Sequence, residues 1–278
     1  MTGANPGHYR RRIGEMVVTA IFDGMVEIKL EAATNITGDE ARRLQDRDLR
    51  PFPPMLPTSF FAVTHGEDTI LVDAGGAPHL DPDLGLGRAN LLAAGINPDG
   101  VRAVLMTHLH TDHYGGLTLP DGTAAFPNAE LVLHAREHAA RFGGTEPAPD
   151  YLQRAVAPYA ERLRLIEAGS VLAGMEAVFL PGHTAGHTGW HIRSGSEQLL
   201  IWGDVVHLPS IQFRHPDVSM SYDIDTEQSA ASRRQIFASA AHDRLLITGM
   251  HLDFPCFGHV STESPGYRWI PEPFRQTP

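Results

Sequence analysis

Apolar residues along the chain come mostly in short runs broken by Gly, Pro, Asn and Asp, the rhythm and punctuation of β-strands. MVVTAIF (16–22) and VEIKL (26–30) flank Asp23-Gly24, a turn pair, and read as a hairpin. TSFFAVT (58–64) and TILVDAG (69–75) flank HGED, and VRAVLMT (101–107) and ELVLH (130–134) are further strands. LRLIEAG (163–169), MEAVFL (175–180), WHIRS (190–194) and QLLIWGD (198–204) follow in close succession, and RLLITGMH (244–251) reads as the last strand. Helical patterns are fewer. ANLLAAG (89–95) stops at Gly95, HAREHAARFGG ends near Gly143, and 145–160 is weakly helical. Residues 225–243 form the clearest helix, with Asp225 as N-cap and Gln228 three residues on. The polar, Pro-rich stretch 31–57 reads as a surface excursion over a site or a neighbouring subunit.

Strands, helix, strand, and then the same again predict an α/β fold of two sheets packed face to face with helices outside, an αββα four-layer sandwich. No repeat or linker divides the chain, so 1–278 reads as a single domain with an N-terminal extension at about 1–57. Polar residues stand just past the apolar part of five runs: Asp73, His108, His183, Asp204 and His251. A rigid sheet gathers such strand-end groups along one edge.

The net charge of −11 argues against a nucleic-acid surface, which needs clustered Lys and Arg. No apolar run approaches the roughly 20 residues of a membrane span. Arg10–Arg12 precede only a short apolar segment, bracketed by Glu15 and Asp23, so no signal peptide is read and a cytoplasmic location is expected. Cys256, the single cysteine, reads as a buried apolar residue.

The chemistry concentrates in THLHTDHYGG (107–116), where His108, His110, Asp112 and His113 fall within six positions. Three imidazoles and a carboxylate offer nothing to a core but are good metal ligands. With His183, Asp204 and His251 they make seven candidate ligands, too many for one tetrahedral zinc and suited to two sharing a bridging carboxylate and a hydroxide. His8, His65, His79, His134, His138, His215 and His242 read as solvated, and His187 and His259 as braces for ligand loops. Ser59 and Ser210 keep structural roles, and Trp190, Phe213, Phe254 and Phe257 read mainly as core.

THLHTDHYGG, LVDAGG (71–76), PGHTAGHT (181–188), Gly203-Asp204 and the strand-end His251 together resemble the metallo-β-lactamase superfamily in its dinuclear hydrolase form. The resemblance covers essentially the whole chain. It implies that His108, His110 and His183 hold one metal, that Asp112, His113 and His251 hold the other, and that Asp204 bridges them, with Asp73 supporting the metal loop. Residues 7–24, GLGRANLLAAGINP (85–98) and the tail HLDFPCFGHVSTESPGYRWIP (251–271) are similar to methyl parathion hydrolase and its lactonase and arylesterase relatives. That branch implies a homodimer with two divalent ions, zinc foremost, with manganese, iron or cobalt as alternatives. The expected substrates are small neutral esters: lactones, aryl esters and, additionally, organophosphate triesters.

Departures from the pattern bear on substrate. Leu80 stands where parathion hydrolases carry an aromatic residue, and His207 where acyl-homoserine lactonases carry a tyrosine. His207 is therefore the candidate for contact with the carbonyl or leaving oxygen, and Asp112 or Asp204 for taking the water's proton. The alternatives are an N-acyl-homoserine lactonase, a glyoxalase II-type thioesterase and a metal-binding protein without chemistry. A thioesterase would want a basic cluster for its glutathione carboxylate and a different tail. A non-enzyme would be expected to have lost ligands, and all seven are present.

Overall fold

The computed structural model describes residues 6–276 apart from 146, 168 and 173. Strands β1 (His8–Ile13), β2 (Met16–Glu27), β3 (Met55–His65), β4 (Asp68–Val72), β5 (Val101–Leu105), β6 (Glu130–His134) and β7 (Leu163–Ile166) form one sheet in sequence order. It is antiparallel as far as β4 and parallel beyond. The second sheet holds β8 (Gly169–Leu172), β9 (Met175–Phe179), β10 (Thr188–Ser194), β11 (Glu197–Ile201), β12 (Leu246–Thr248), β13 (Gly258–Thr262) and β14 (Tyr267–Pro271). Its β11–β12 pair is parallel and its other pairs antiparallel. Helices α1 (Gly38–Arg47), α2 (Gly87–Ala93), α3 (Thr111–Tyr114), α4 (Ala135–Phe142), α5 (Asp150–Val156), α6 (Pro209–Gln212) and α7 (Thr226–Asp243) lie in the connections.

The burial of β3 explains the layering. Phe61 and Val63 enter the core between the sheets, beside Trp190, Ile192 and Ile247 of the second sheet. Phe60 and Ala62 point the other way, into a core with Leu91, Leu152 and Tyr159 under the helices. A strand covered on both faces reads as an unbroken apolar run, and SFFAV is one. Two mixed sheets with flanking helices therefore form the expected αββα sandwich. A third, smaller core joins α1 and α6 through Leu44, Leu208 and Ile211.

Four local expectations need correction. Asp23-Gly24 is not a turn. β2 runs straight through it with a bulge between Phe22 and Gly24, and its hairpin partner is β1, joined through Gly14-Glu15. The buried Asp23 carboxylate accepts the N–H groups of Gly76, Gly85 and Gly87 at 2.8, 3.2 and 2.7 Å, so this Asp organises the loop after β4. Gly24 is required by crowding: a Cβ there would lie 2.1 Å from the Asp83 carbonyl oxygen. Residues 31–57 contain α1, capped by Thr37, whose side chain accepts the Glu40 N–H. RLLITGMH is not the last strand, because β13 and β14 follow and close the sheet edge. β8, too, is unpredicted: it starts at Gly169, the last residue of the predicted strand 163–169, and ends before 175–180 (Ala168 is outside the described residues). Finally, His134 is buried rather than solvated, and its Nδ1 accepts the Arg136 N–H at the start of α4.

The candidate ligands cluster through topology. β4, β5, β11 and β12 lie in the parallel parts of the two sheets, and their C-terminal ends lead to Asp73, His108, Asp204 and His251. The turn between β9 and β10 adds His183 at the same edge.

Candidate metal centre

The loop from β5 into α3 places His108, His110, Asp112 and His113 within six positions, and His183, Asp204 and His251 meet them there. His183 Nε2 lies 3.2 Å from His108 Nε2, 3.0 Å from His110 Nδ1 and 3.4 Å from Asp204 Oδ2. On the other side, Asp112 Oδ2 is 3.4 Å from the Nε2 atoms of both His113 and His251. Asp204 Oδ2 is 3.2 and 3.1 Å from those same two nitrogens and 3.6 Å from His108 Nε2, so it faces both groups. All seven predicted residues are thus brought together, and His207 meets Asp204 and His251 in the same cluster.

The donor set fits a pair of divalent cations. Four ligands about 2.0–2.2 Å from a zinc lie about 3.3–3.6 Å from one another, and the separations here, 3.0–3.6 Å, are close to that edge length. His113 Nε2 and Asp204 Oδ1 are buried with no hydrogen-bond partner among the described residues, a costly state unless a cation satisfies them. His108, His110, His183 and Asp204 would hold one ion and Asp112, His113 and His251 the other, with Asp204 Oδ2 also near His113 and His251.

The remaining ring nitrogens explain why the lone pairs point inward. Asp73 Oδ2 accepts from His113 Nδ1 at 2.7 Å, Asp223 Oδ1 from His183 Nδ1 at 2.7 Å, and the Pro57 carbonyl from His251 Nδ1 at 2.9 Å. Thr107 donates its hydroxyl to Asp73 and accepts from His108 Nδ1 at 3.0 Å. Each such bond fixes a tautomer and frees the opposite nitrogen as a ligand. Asp73 itself takes a left-handed backbone, φ 61°, to reach this position.

Electrostatics agree. Burial pushes His108 and His110 well below the usual imidazole pKa, leaving them neutral, as ligands must be. For His113 burial acts in the same direction, but the carboxylates of Asp204, Asp112 and Asp73 overrule it and hold its pKa well above normal. This part of the cluster is built to hold positive charge. His187 is a brace: burial pushes its pKa down to about 3, Nδ1 donates to the Leu180 carbonyl, and Nε2 accepts the Asp204 N–H. His259 ties β13 to the Leu245 carbonyl instead. Trp190, Phe213 and Phe257 are core, and Phe254 packs edge-on to Phe22.

His207 is buried, its Nε2 3.2 Å from Asp204 Oδ2 and its ring stacked on His251, and it lines a cavity of about 430 Å³ above the cluster. Val26, Ile28, Leu56, Leu80, Leu84, Leu109 and Leu152 give that cavity its aliphatic walls. Tyr222, edge-on to His207 with centroids 5.2 Å apart, also faces it and was not singled out in the sequence. Two other residues were missed. Asp223 orients His183 and lies 4.0 Å from the buried Arg233, which also donates to the Val205, Pro216 and Val218 carbonyls. Glu137 on α4 is fully buried and clasps both metal loops, Oε1 accepting the Leu109 N–H and Oε2 the Gly186 N–H, each at 3.0 Å. A carboxylate one turn into a helix, directly after a predicted strand, was the only sequence signal for that role.

A fold of two mixed sheets with a His/Asp cluster at one edge defines a class, and the sequence pattern of the metallo-beta-lactamase superfamily matches residues 53–253. The chain belongs to that superfamily. Among solved structures it is similar to the hydrolase AbOPH of the beta lactamase superfamily, at 28% identity, with 99% of this chain and 100% of that one covered and a TM-score of 0.92. It is similar also to AidC, a dizinc quorum-quenching lactonase solved with a product, N-hexanoyl-L-homoserine, at 25% identity, 97% and 99% coverage and TM-score 0.90. Curated relatives include the N-acyl homoserine lactonase of Bacillus thuringiensis, 30% identical over 115 residues, 40% of this chain. The chain spans 42% of that relative's length. AttM of Agrobacterium fabrum, an N-acyl homoserine lactonase, is 25% identical over 230 residues, 70% of this chain and 81% of its own.

Proposed function

We propose that this chain is a metal-dependent lactonase whose substrates are N-acyl homoserine lactones. The observation that carries the reading is the aliphatic cavity of about 430 Å³ opening directly over Asp112, Asp204 and His251. Seven aliphatic side chains suit an acyl arm, and a polar floor suits a lactone ring. The similarity to AidC, whose bound product is a ring-opened acyl homoserine, points the same way.

A pair of divalent ions held by the seven residues would supply Lewis acidity, lowering the pKa of water toward about 7 and drawing charge from the ester carbonyl. In hydrolysis water's oxygen bonds to the ring carbonyl carbon, the ring C–O bond breaks, and the departing oxygen takes a proton to become a hydroxyl. Asp112 is the better proton carrier. Its side chain is 21% exposed and faces the cavity, whereas Asp204 is 2% exposed and hemmed in by five imidazole nitrogens. Burial opposes charge on Asp112, but His113 and His251 overrule it and hold the carboxyl well below the usual range, ionised and able to accept. His207 donates from Nε2 to Asp204 Oδ2, and its position on the wall suits contact with the carbonyl or leaving oxygen.

A substrate panel on metal-replete protein tests the reading. N-octanoyl homoserine lactone is expected to exceed dihydrocoumarin, p-nitrophenyl acetate and paraoxon in kcat/KM by at least tenfold. A higher value for paraoxon or the aryl ester would overturn the assignment.

A further inference from the structure

The cavity's charged lining is acidic except at one point. Glu27, Asp81, Asp112 and Asp204 face it, and Arg141 is the one Lys or Arg among its described lining residues. Arg141 sits in the last turn of α4, its side chain 30% exposed. Its single ion pair among the described residues is with Glu137 one turn earlier, and at 3.7 Å that contact is too long for a hydrogen bond. The partner is also already engaged, since both Glu137 oxygens accept backbone N–H groups from the metal loops. The guanidinium therefore brings a fork of N–H donors to the cavity with none committed to a described residue. Beside it, Tyr114 and Tyr151 stack with centroids 6.3 Å apart and planes 12° apart, and both line the same space.

A plain N-acyl arm offers this arginine no acceptor beyond the amide carbonyl beside the lactone ring. Partly burying a guanidinium is costly, and the cost is recovered when an oxygen acceptor meets the fork. The acidic neighbours Glu27 and Asp81 disfavour an arm carrying a full negative charge, which leaves a neutral carbonyl. We infer that Arg141 recognises a carbonyl oxygen on the acyl arm of the substrate, so that the cavity selects oxo-substituted over plain alkyl chains. This rests on the lactonase reading given above.

The test compares N-octanoyl homoserine lactone with its 3-oxo counterpart on the metal-replete protein. Wild type is expected to favour the oxo compound at least fivefold in kcat/KM. Arg141→Met is expected to erase that ratio through KM, and Arg141→Lys, keeping the charge opposite Glu137 without the planar fork, to restore part of it. Metal content and Tm are followed in both variants, because damage to the Glu137 clasp would depress both substrates alike. Equal rates for the two lactones in wild type, or parallel losses in Arg141→Met and Arg141→Lys, overturn the inference while the lactonase reading stands. Hydrolysis of neither lactone overturns both.

Discussion

At the scale of single residues, the centre is organised around Asp204 Oδ2, with five imidazole nitrogens 3.1–3.6 Å away. Position matters more than charge count here, and the supporting carboxylates set position. Asp223→Asn keeps the shape of the His183 partner but removes its charge, so affinity for one of the two cations is expected to fall about 10–100-fold with little change in Tm. Competition with a metal indicator reads this, and unaltered affinity would reduce Asp223 to a packing role. His207→Phe is expected to lower lactone turnover at least tenfold while metal content stays at the wild-type value. Unchanged kinetics would remove His207 from substrate contact. The sequence carried the HxHxDH loop openly, because four of the seven cluster members are neighbours in the chain. Asp223, Glu137 and the Pro57 carbonyl stayed hidden. Their contacts join residues 28–194 positions apart, and each looks ordinary in its own segment.

At the scale of elements, the errors and the successes have one cause. Runs buried on both sides, such as SFFAV, announce strands whatever their partners. Asp-Gly, however, satisfies a bulge as readily as a turn, and only the three glycine N–H groups gathered by Asp23 settle which. α1 had its signal in Thr37-Gly38-Asp39-Glu40, a capping sequence masked by the polar, Pro-rich surroundings. His134 yields a pH effect at this scale. Burial lowers its pKa below 6.5, and the neutral ring caps α4 by accepting the Arg136 N–H. Because the folded value is the lower one, the cap's stabilisation is complete above pH 6.5 and is lost as pH falls below it, toward the folded pKa. His134→Asn, which caps without titrating, is expected to lose less stability than wild type between pH 7.5 and 5.5. Denaturant melts at the two pH values check this, and identical losses would mean that the cap does not titrate.

For the whole molecule, the cluster joins both sheets. His108–His113 hang from the first, and His183, Asp204 and His251 from the second. Cations held there would bind the folded chain far better than the unfolded one and stabilise it by mass action. Removing them with a chelator is expected to lower Tm by about 5 °C or more, reversibly on adding zinc, since 1 kcal/mol is worth about 2–4 °C in a chain of this size. An unchanged Tm would mean that the sandwich stands without its cross-link. The central claim is that these seven side chains hold two cations jointly, and metal analysis of wild type beside His251→Ala tests it most directly. The account predicts close to two ions per wild-type chain, close to one in the variant, and loss of most lactone hydrolysis. Fewer than one ion in wild type, or the same content in both proteins, would contradict it.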